Sequence, residues 1–254
     1  MHPKTVIVIP CYNEAKRLKP NSYLDFLKKH SKIDLIMVND GSTDKTQTLL
    51  QTIRQDDPNR CMVLNLDRNS GKSEAVRQGI IKALSTGADY VGYWDADLST
   101  PLETIPKFCT ILNEKPYLFM VFGARVLLLG KNVERSASRH YFGRGFATIV
   151  SLMLKIKVYD TQCGAKLFRA GPEIKRIFEN RFISRWVFDV EIIARWIRLC
   201  QTYQLPPVDK VIYEYPLPVW LHVAESKIKI SDGATVARDL YKIYKFLTKA
   251  EPGK

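Results

Sequence analysis

Four short apolar runs punctuate the first hundred residues: Val6-Ile-Val-Ile9, Leu35-Ile-Met-Val38, Met62-Val-Leu-Asn65 and Tyr90-Val-Gly-Tyr-Trp94. Their starts lie 29, 27 and 28 residues apart. Apolar positions at helical spacing fill the gaps, with Leu49, Leu50 and Ile53 in one and Ala75, Ile80, Ile81 and Leu84 in the next. Continuous apolar strands alternating with amphipathic helices predict an α/β fold, with a mainly parallel central sheet flanked by helices on both faces.

In such sheets ligands bind beyond the carboxyl ends of the strands. Polar clusters follow three of the four runs: Pro10-Cys-Tyr-Asn-Glu14, Asn39-Asp-Gly-Ser-Thr-Asp44 and Asp95-Ala-Asp97. Three clusters at equivalent ends predict one shared crevice. Farther along, Tyr117 to Ala124 reads as another buried strand, and a basic stretch runs from Arg125 to Arg144. Helical patterns are expected around Phe142 to Leu154, from Val187 to Cys200, and from Asp232 to Leu247 with Ser231 as N-cap. A strand pair is expected at Val211 to Tyr215 and Val219 to Val223. With no repeat and no long linker, residues 1–254 are expected to form one domain, its 1–124 half binding a nucleotide and its 125–254 half an acceptor.

The chain has 254 residues and 39 Lys plus Arg against 26 Asp plus Glu, a net charge of +13. With 46% hydrophobic residues it is a folding composition, not a disordered or collagen-like one. The positive balance suits an anionic partner: nucleic acid, an anionic membrane surface or a phosphorylated small molecule. Acidic clusters at three strand ends repel bare phosphates, and no nucleic-acid-binding motif is evident, so nucleic acid is not expected as a partner. Five scattered cysteines without a C-x-x-C pair suggest a reduced compartment and no zinc site. No apolar segment approaches the roughly 20 residues a spanning helix needs.

Asp95 and Asp97, at i and i+2 beyond an apolar strand, put two carboxylates on one side. In water they are an ordinary acidic turn. Inside the crevice of a basic protein they suit a hard divalent cation, Mg²⁺ or Mn²⁺, which in turn holds a diphosphate. Asp40 reads either as part of a capped turn or as an acceptor for a base N–H or ribose hydroxyl. Gly71-Lys72-Ser73 is not a P-loop, because Leu66 stands where the first glycine belongs. Lys72 at a helix start is still expected to favour an anion. G-x-G-x-x-G and G-x-S-x-G are both absent.

Pro10-x-Tyr12-Asn13-Glu14, Asp40-Gly-Ser-x-Asp44, Asn69-x-Gly-Lys72 and Asp95-Ala-Asp97 together resemble the inverting GT-A glycosyltransferases. Glu134-Arg-Ser-x-x-Arg139, Asp160-Thr-Gln-Cys-Gly164 with Lys166-Leu-Phe168, Arg185-Trp-x-Phe-Asp-Val-Glu191 and Ser226-Lys227 resemble dolichyl-phosphate β-glucosyltransferases in particular. The resemblance spans roughly residues 5 to 245. It implies a GT-A fold and transfer of glucose from UDP-glucose to a polyprenyl phosphate. Nucleotide-sugar binding would fall to Pro10, Tyr12, Glu14, Asp40, Lys72, Asp95, Ala96, Asp97 and Lys227, and metal binding to Asp97 and Asp95. The acceptor phosphate would meet Arg125, Arg135 and Arg139, so that Asp97, Arg125 and Arg139 carry the chemistry.

Mannosyl-transferring relatives carry Gln where this chain has Ser99, and Arg where it has Leu221. Both departures favour glucose over the alternative of mannose from GDP-mannose. A sugar-hydroxyl acceptor, the other alternative, would require a base, for which Asp160, Asp189 and Glu191 are candidates. Asp189 and Glu191 read equally as structural partners of the arginines. A lipid acceptor implies a cytoplasmic protein, peripheral at the inner face of a membrane. The Arg139 to Lys157 stretch is the expected contact, with Phe142, Phe146, Ile149, Val150, Met153 and Leu154 as its apolar face. The stripe Ala237, Leu240, Tyr241, Tyr244 and Leu247 on the last helix is expected to be buried.

Overall fold

A computed structural model describes residues 3–126, 132–133, 137–221 and 233–249, without the side chains of 132–133 and 137–142. The four apolar runs are strands β1 (Thr5–Cys11), β2 (Ile33–Asp40), β3 (Cys61–Leu66) and β4 (Tyr90–Trp94). Helices α1 (Pro20–Lys29), α2 (Thr46–Asp56) and α3 (Lys72–Leu84) connect them, and α4 (Thr104–Glu114) leads to β5 (Met120–Ala124). The chain continues through β6 (Asn132–Val133), α5 (Ala137–Leu154), β7 (Ala165–Arg169), α6 (Pro172–Glu179) and α7 (Phe188–Thr202). It closes with α8 (Val208–Val211), β8 (Ile212–Pro216), β9 (Val219–Trp220) and α9 (Gly233–Thr248).

Seven strands form one sheet in the order β3-β2-β1-β4-β7-β5-β8. Every pairing is parallel except those of β7, which runs against both β4 and β5. Strand order reverses between β1 and β4, so the ends of β2, β1 and β4 lie side by side at a switch point. The three polar clusters therefore share one edge, as the spacing predicts. β7 brings its first residue, not its last, to that edge, since Trp94 pairs with Ala165.

The strands are nearly wholly apolar because both faces are covered. One face packs Ile7, Ile9, Leu35 and Met37 against Tyr23, Phe26 and Phe108. The other packs Val6, Val8 and Val38 against Ala75, Val76, Ile80 and Trp196. A third cluster joins α5, α7 and α9 through Val150, Leu154, Val190, Ile193, Leu240 and Ile243.

That third cluster corrects the expected membrane face. Val150 and Leu154 are buried, and Phe146 and Met153 pack against them, because α7 and α9 offer an apolar surface that covers this stripe. Ile149 and Leu152 remain outside, 58% and 75% exposed, while the Phe142 side chain lies outside the described residues. On α9 the inward face is Val236, Leu240, Ile243, Phe246 and Leu247, so Leu240 and Leu247 of the expected stripe pack inside while Ala237, Tyr241 and Tyr244 face outward. The expected strand pair also differs. β8 adds to the open edge of β5, a ladder that Leu217 N–H extends by donating to Ala124 O at 2.9 Å, and β9 pairs with β6. Ser231 and residues 222–223 lie outside the described residues. No described helix is long and apolar enough to cross a membrane.

Candidate active site

Asp95 leaves the end of β4 with its backbone N–H donating to Gly164 O at 2.9 Å, which ties the β4 turn to the segment before β7. The turn is then fixed at each residue. Ala96 O accepts from the Tyr23 hydroxyl at 2.9 Å, Leu98 takes a φ of +54°, and Ser99 N–H donates to Asp97 Oδ1 at 3.0 Å. Ser99 O accepts from Leu221 N–H at 2.8 Å, so the two positions that depart from the mannosyl pattern touch each other.

Lys72, the first residue of α3, reaches the same turn, its Nζ 2.5 Å from Asp95 Oδ1. Burial opposes the ammonium, but Asp95 and Asp189 outweigh it and hold its pKa above the ordinary lysine value. Burial pushes the Asp95 carboxyl above its ordinary range, and Lys72 opposes that shift. Gly164 makes this placement possible, because a Cβ there would overlap the Asp95 carboxylate.

Asp40 is buried at the end of β2, its two oxygens accepting from Ser70 N–H at 2.7 Å and Gly71 N–H at 2.8 Å. It therefore holds the loop that delivers Lys72. A carboxylate has about four acceptor sites, so two remain for a base or ribose. Burial raises its pKa against those two bonds. Gly71 has a φ of +94°, and a Cβ there would stand 2.5 Å from Arg185 Nε; Arg185 Nη2 in turn donates to Asn69 Oδ1 at 2.9 Å. Glu14 is buried and forked by Arg17 at 2.6 and 2.8 Å. Pro10 and Tyr12 are half-buried at the end of β1. Asn13 laces this end to the next, its Oδ1 accepting from Thr43 N–H at 2.9 Å.

On the far side of the edge, Arg125 follows β5. Its Nε and Nη2 donate to Asp160 at 2.5 and 2.7 Å, and its backbone N–H donates to the same carboxylate at 3.0 Å. Burial works against the guanidinium's charge, yet Asp160 holds its pKa above the ordinary value. Arg135 and Lys227 lie outside the described residues; Arg139 sits on α5, its side chain outside them. Arg144, one turn beyond, stacks over the Tyr159 ring at 4.4 Å.

Between these two groups runs the segment 160–164, and a buried lysine holds it. Lys166 Nζ donates to Thr161 O at 3.0 Å and Cys163 O at 2.6 Å and pairs with Asp189 Oδ1 at 2.5 Å. Tyr93 donates to the same Asp189 oxygen. Glu191 pairs instead with Arg195 at 2.7 Å and accepts from Ile183 N–H. Asp189 and Glu191 are thus structural partners of cations, as one of their two readings had it, but the cations are Lys166 on β7 and Arg195 one turn along α7. Gly164 and Lys166 stand in the motif Asp160-Thr-Gln-Cys-Gly164 with Lys166-Leu-Phe168 but have no role assigned by it, because site residues announce themselves after strands and this segment precedes one.

The described residues contain no group of three or more His, Cys, Asp or Glu that could hold a metal ion. Asp95 and Asp97 offer hard oxygen donors beside Lys72, a partial shell that fits a cation completing its coordination with phosphate oxygens and water.

The chain matches the family described as Glycosyl transferase family 2 over residues 6–176. It is 32% identical over 248 residues to a dolichyl-phosphate beta-glucosyltransferase of Trichomonas vaginalis, covering 93% of this chain and 72% of the relative. A protein of the same description from Dictyostelium discoideum is 31% identical over 251 residues, with coverage of 93% and 72%. Glucosyl-3-phosphoglycerate synthase of Mycobacterium tuberculosis, solved with Mn²⁺, UDP and glucosyl-3-phosphoglycerate, superposes with a TM-score of 0.67 at 16% identity, covering 99% of this chain and 82% of that one.

Proposed function

Since the chain belongs to glycosyl transferase family 2 and is a glycosyltransferase, we propose that it moves glucose from UDP-glucose to a polyprenyl phosphate of the dolichyl type, with inversion. Residues 1–254 act as one domain in this reading, residues 1–124 holding the donor and residues 125–254 the acceptor. One observation carries the choice of a phosphate over a hydroxyl acceptor. The three carboxylates that the sequence offers as bases for a hydroxyl are each tied to a cation: Asp160 to Arg125, Asp189 to Lys166 and Glu191 to Arg195. A phosphomonoester has a second pKa of about 6 and is already largely anionic at neutral pH. It attacks without a base.

The donor lies at the ends of β1, β2 and β4. Pro10, Tyr12, Glu14 and Asp40 receive the nucleoside, Asp40 with its two remaining acceptor sites. Lys72 stands at the start of α3, where backbone N–H groups and the ammonium together favour the diphosphate. Lys227 adds charge to the same group. A divalent cation, Mg²⁺ or Mn²⁺, held by Asp97 and Asp95 neutralises the leaving diphosphate when bound. The acceptor phosphate enters from the Arg125 side with Arg135 and Arg139, so its oxygen attacks the anomeric carbon opposite the bond that breaks to release the diphosphate. The named relatives and the Mn²⁺-UDP complex of the structural neighbour support this reading.

A lipid acceptor places the protein on the cytoplasmic face of a membrane, attached peripherally. Ile149 and Leu152, exposed on α5 between Arg144 and Lys155, form the contact surface in place of the buried stripe. The test is incubation of the protein with labelled UDP-glucose, Mg²⁺ or Mn²⁺ and a short polyprenyl phosphate. Glucose should appear on the lipid, and Asp97→Ala should abolish the reaction. Faster transfer from GDP-mannose, or transfer to a sugar hydroxyl, would overturn the proposal.

A further inference from the structure

We propose that Thr161 and Gln162 are acceptor-site residues, supplying neutral hydrogen-bond donors to the acceptor's phosphate in a cavity between α5 and residues 159–162. This rests on the phosphate-acceptor reading above and adds residues that the motifs leave without a role.

The cavity has a volume of about 40 Å³ and is walled by Arg125, Arg144, Phe146, Tyr159, Thr161 and Gln162, with Asp160 beside them. Thr161 is 1% exposed, and its Oγ1 is buried with no hydrogen-bond partner among the described residues. Gln162 Nε2, on the next residue, is buried and equally without one. Buried polar atoms in folded proteins are nearly always paired, because desolvation without a partner is costly. Two orphaned atoms on consecutive residues lining one cavity point to a polar occupant.

Charge specifies its sign. Arg125 and Arg144 contribute two guanidinium groups, and Asp160 removes one charge, leaving the wall net positive. Arg125 already spends Nε and Nη2 on Asp160. An anion there therefore draws its additional donors from Thr161, Gln162 and Arg144. The backbone is held for this purpose: Thr161 O accepts from Lys166, and Gln162 N–H donates to Asp160 Oδ1 at 3.2 Å. A tetrahedral phosphate monoester, with three oxygens to satisfy, matches a site offering hydroxyl, amide and guanidinium donors.

Thr161→Val and Gln162→Met remove the donors at nearly constant volume, and Thr161→Ser restores the hydroxyl. Kinetic constants are measured for UDP-glucose and for a short polyprenyl phosphate, alongside melting temperature and direct titration with inorganic phosphate. Each donor-less variant should raise the acceptor KM about tenfold, leave the UDP-glucose KM within about twofold, and melt no lower than wild type. Thr161→Ser should return the acceptor KM towards wild type. Inorganic phosphate should compete with the lipid on wild type and lose that competition in the variants; competition unchanged by the substitutions would overturn the assignment. Folded variants with a wild-type acceptor KM, as expected if the occupant is only water, would also overturn it. Should Thr161→Val fail to fold, Gln162→Met decides by the same criteria. If wild type transfers glucose to no polyprenyl phosphate, the functional reading fails, and the phosphate titrations still decide the cavity.

Discussion

Asp95 and Gly164 meet with no room for a single methyl group, and the reach of Lys72 depends on that fit. Gly164→Ala should push the carboxylate off its place and break the 2.5 Å pair with Lys72, while the flexible side chain absorbs the strain. The expected outcome is at least a tenfold fall in kcat/KM for UDP-glucose with little change in melting temperature, read by steady-state kinetics and calorimetry. Lys166 is the opposite case, a residue whose loss the fold feels first. Its ammonium is fully buried against Asp189, and removing one partner of such a pair costs about 3–5 kcal/mol. Lys166→Met should lose that much in urea unfolding. The double variant with Asp189→Asn should recover part of it, because no charge is then left buried alone. The motif Asp160-Thr-Gln-Cys-Gly164 with Lys166 stood in plain view, but contact with Asp95 across two strands has no signature in local spacing.

Helix α5 separates what periodicity can read from what it cannot. The apolar stripe Phe146, Val150, Met153 and Leu154 was legible as a stripe, yet a membrane and the flank of α7 and α9 present the same apolar demand. Only the packing distinguishes them. Val150→Glu should therefore destabilise the protein, whereas Ile149→Glu and Leu152→Glu should change stability by about 0.5 kcal/mol or less. The same two exposed substitutions should reduce co-sedimentation with anionic vesicles; wild-type sedimentation by both would remove α5 as the contact. Strands β1, β2 and β4 were legible because burial on both faces makes each a continuous apolar run, and β3, half-exposed at the sheet edge, still carries the run Met62-Val-Leu64. β7 was not, because Lys166 and Arg169 interrupt it, and the lysine there is buried by partners far along the chain. The strand-end clusters exposed the proposed donor side in sequence, while the proposed acceptor side depends on a segment that enters a strand.

Across the molecule the net charge is +13, and the proposed substrates and the proposed membrane surface are all anionic. Each basic residue near such a surface contributes about 1 kcal/mol, so vesicle binding should weaken steeply as salt rises from low to physiological strength. With Asp160, Asp189 and Glu191 committed to cations, the pH profile should follow the acceptor. Rate should climb through about pH 6 as the phosphomonoester takes its second charge, with no further limb from an enzymic base. A profile that follows a different pKa when the acceptor is unchanged would restore a carboxylate to that role. The reversed direction of β7 also bears on how this scaffold can change over evolutionary time. The segment 160–164 is anchored at one end by Asp160 on Arg125 and Glu214, at the other by the β4 pairing, and in between by Lys166. Loops that only leave a strand can grow or shrink while their anchors stand still. This one has no slack, so an inserted residue would shift the Asp95 turn and the Arg125 side at once, and lineages built on this plan should diversify by lengthening their other loops.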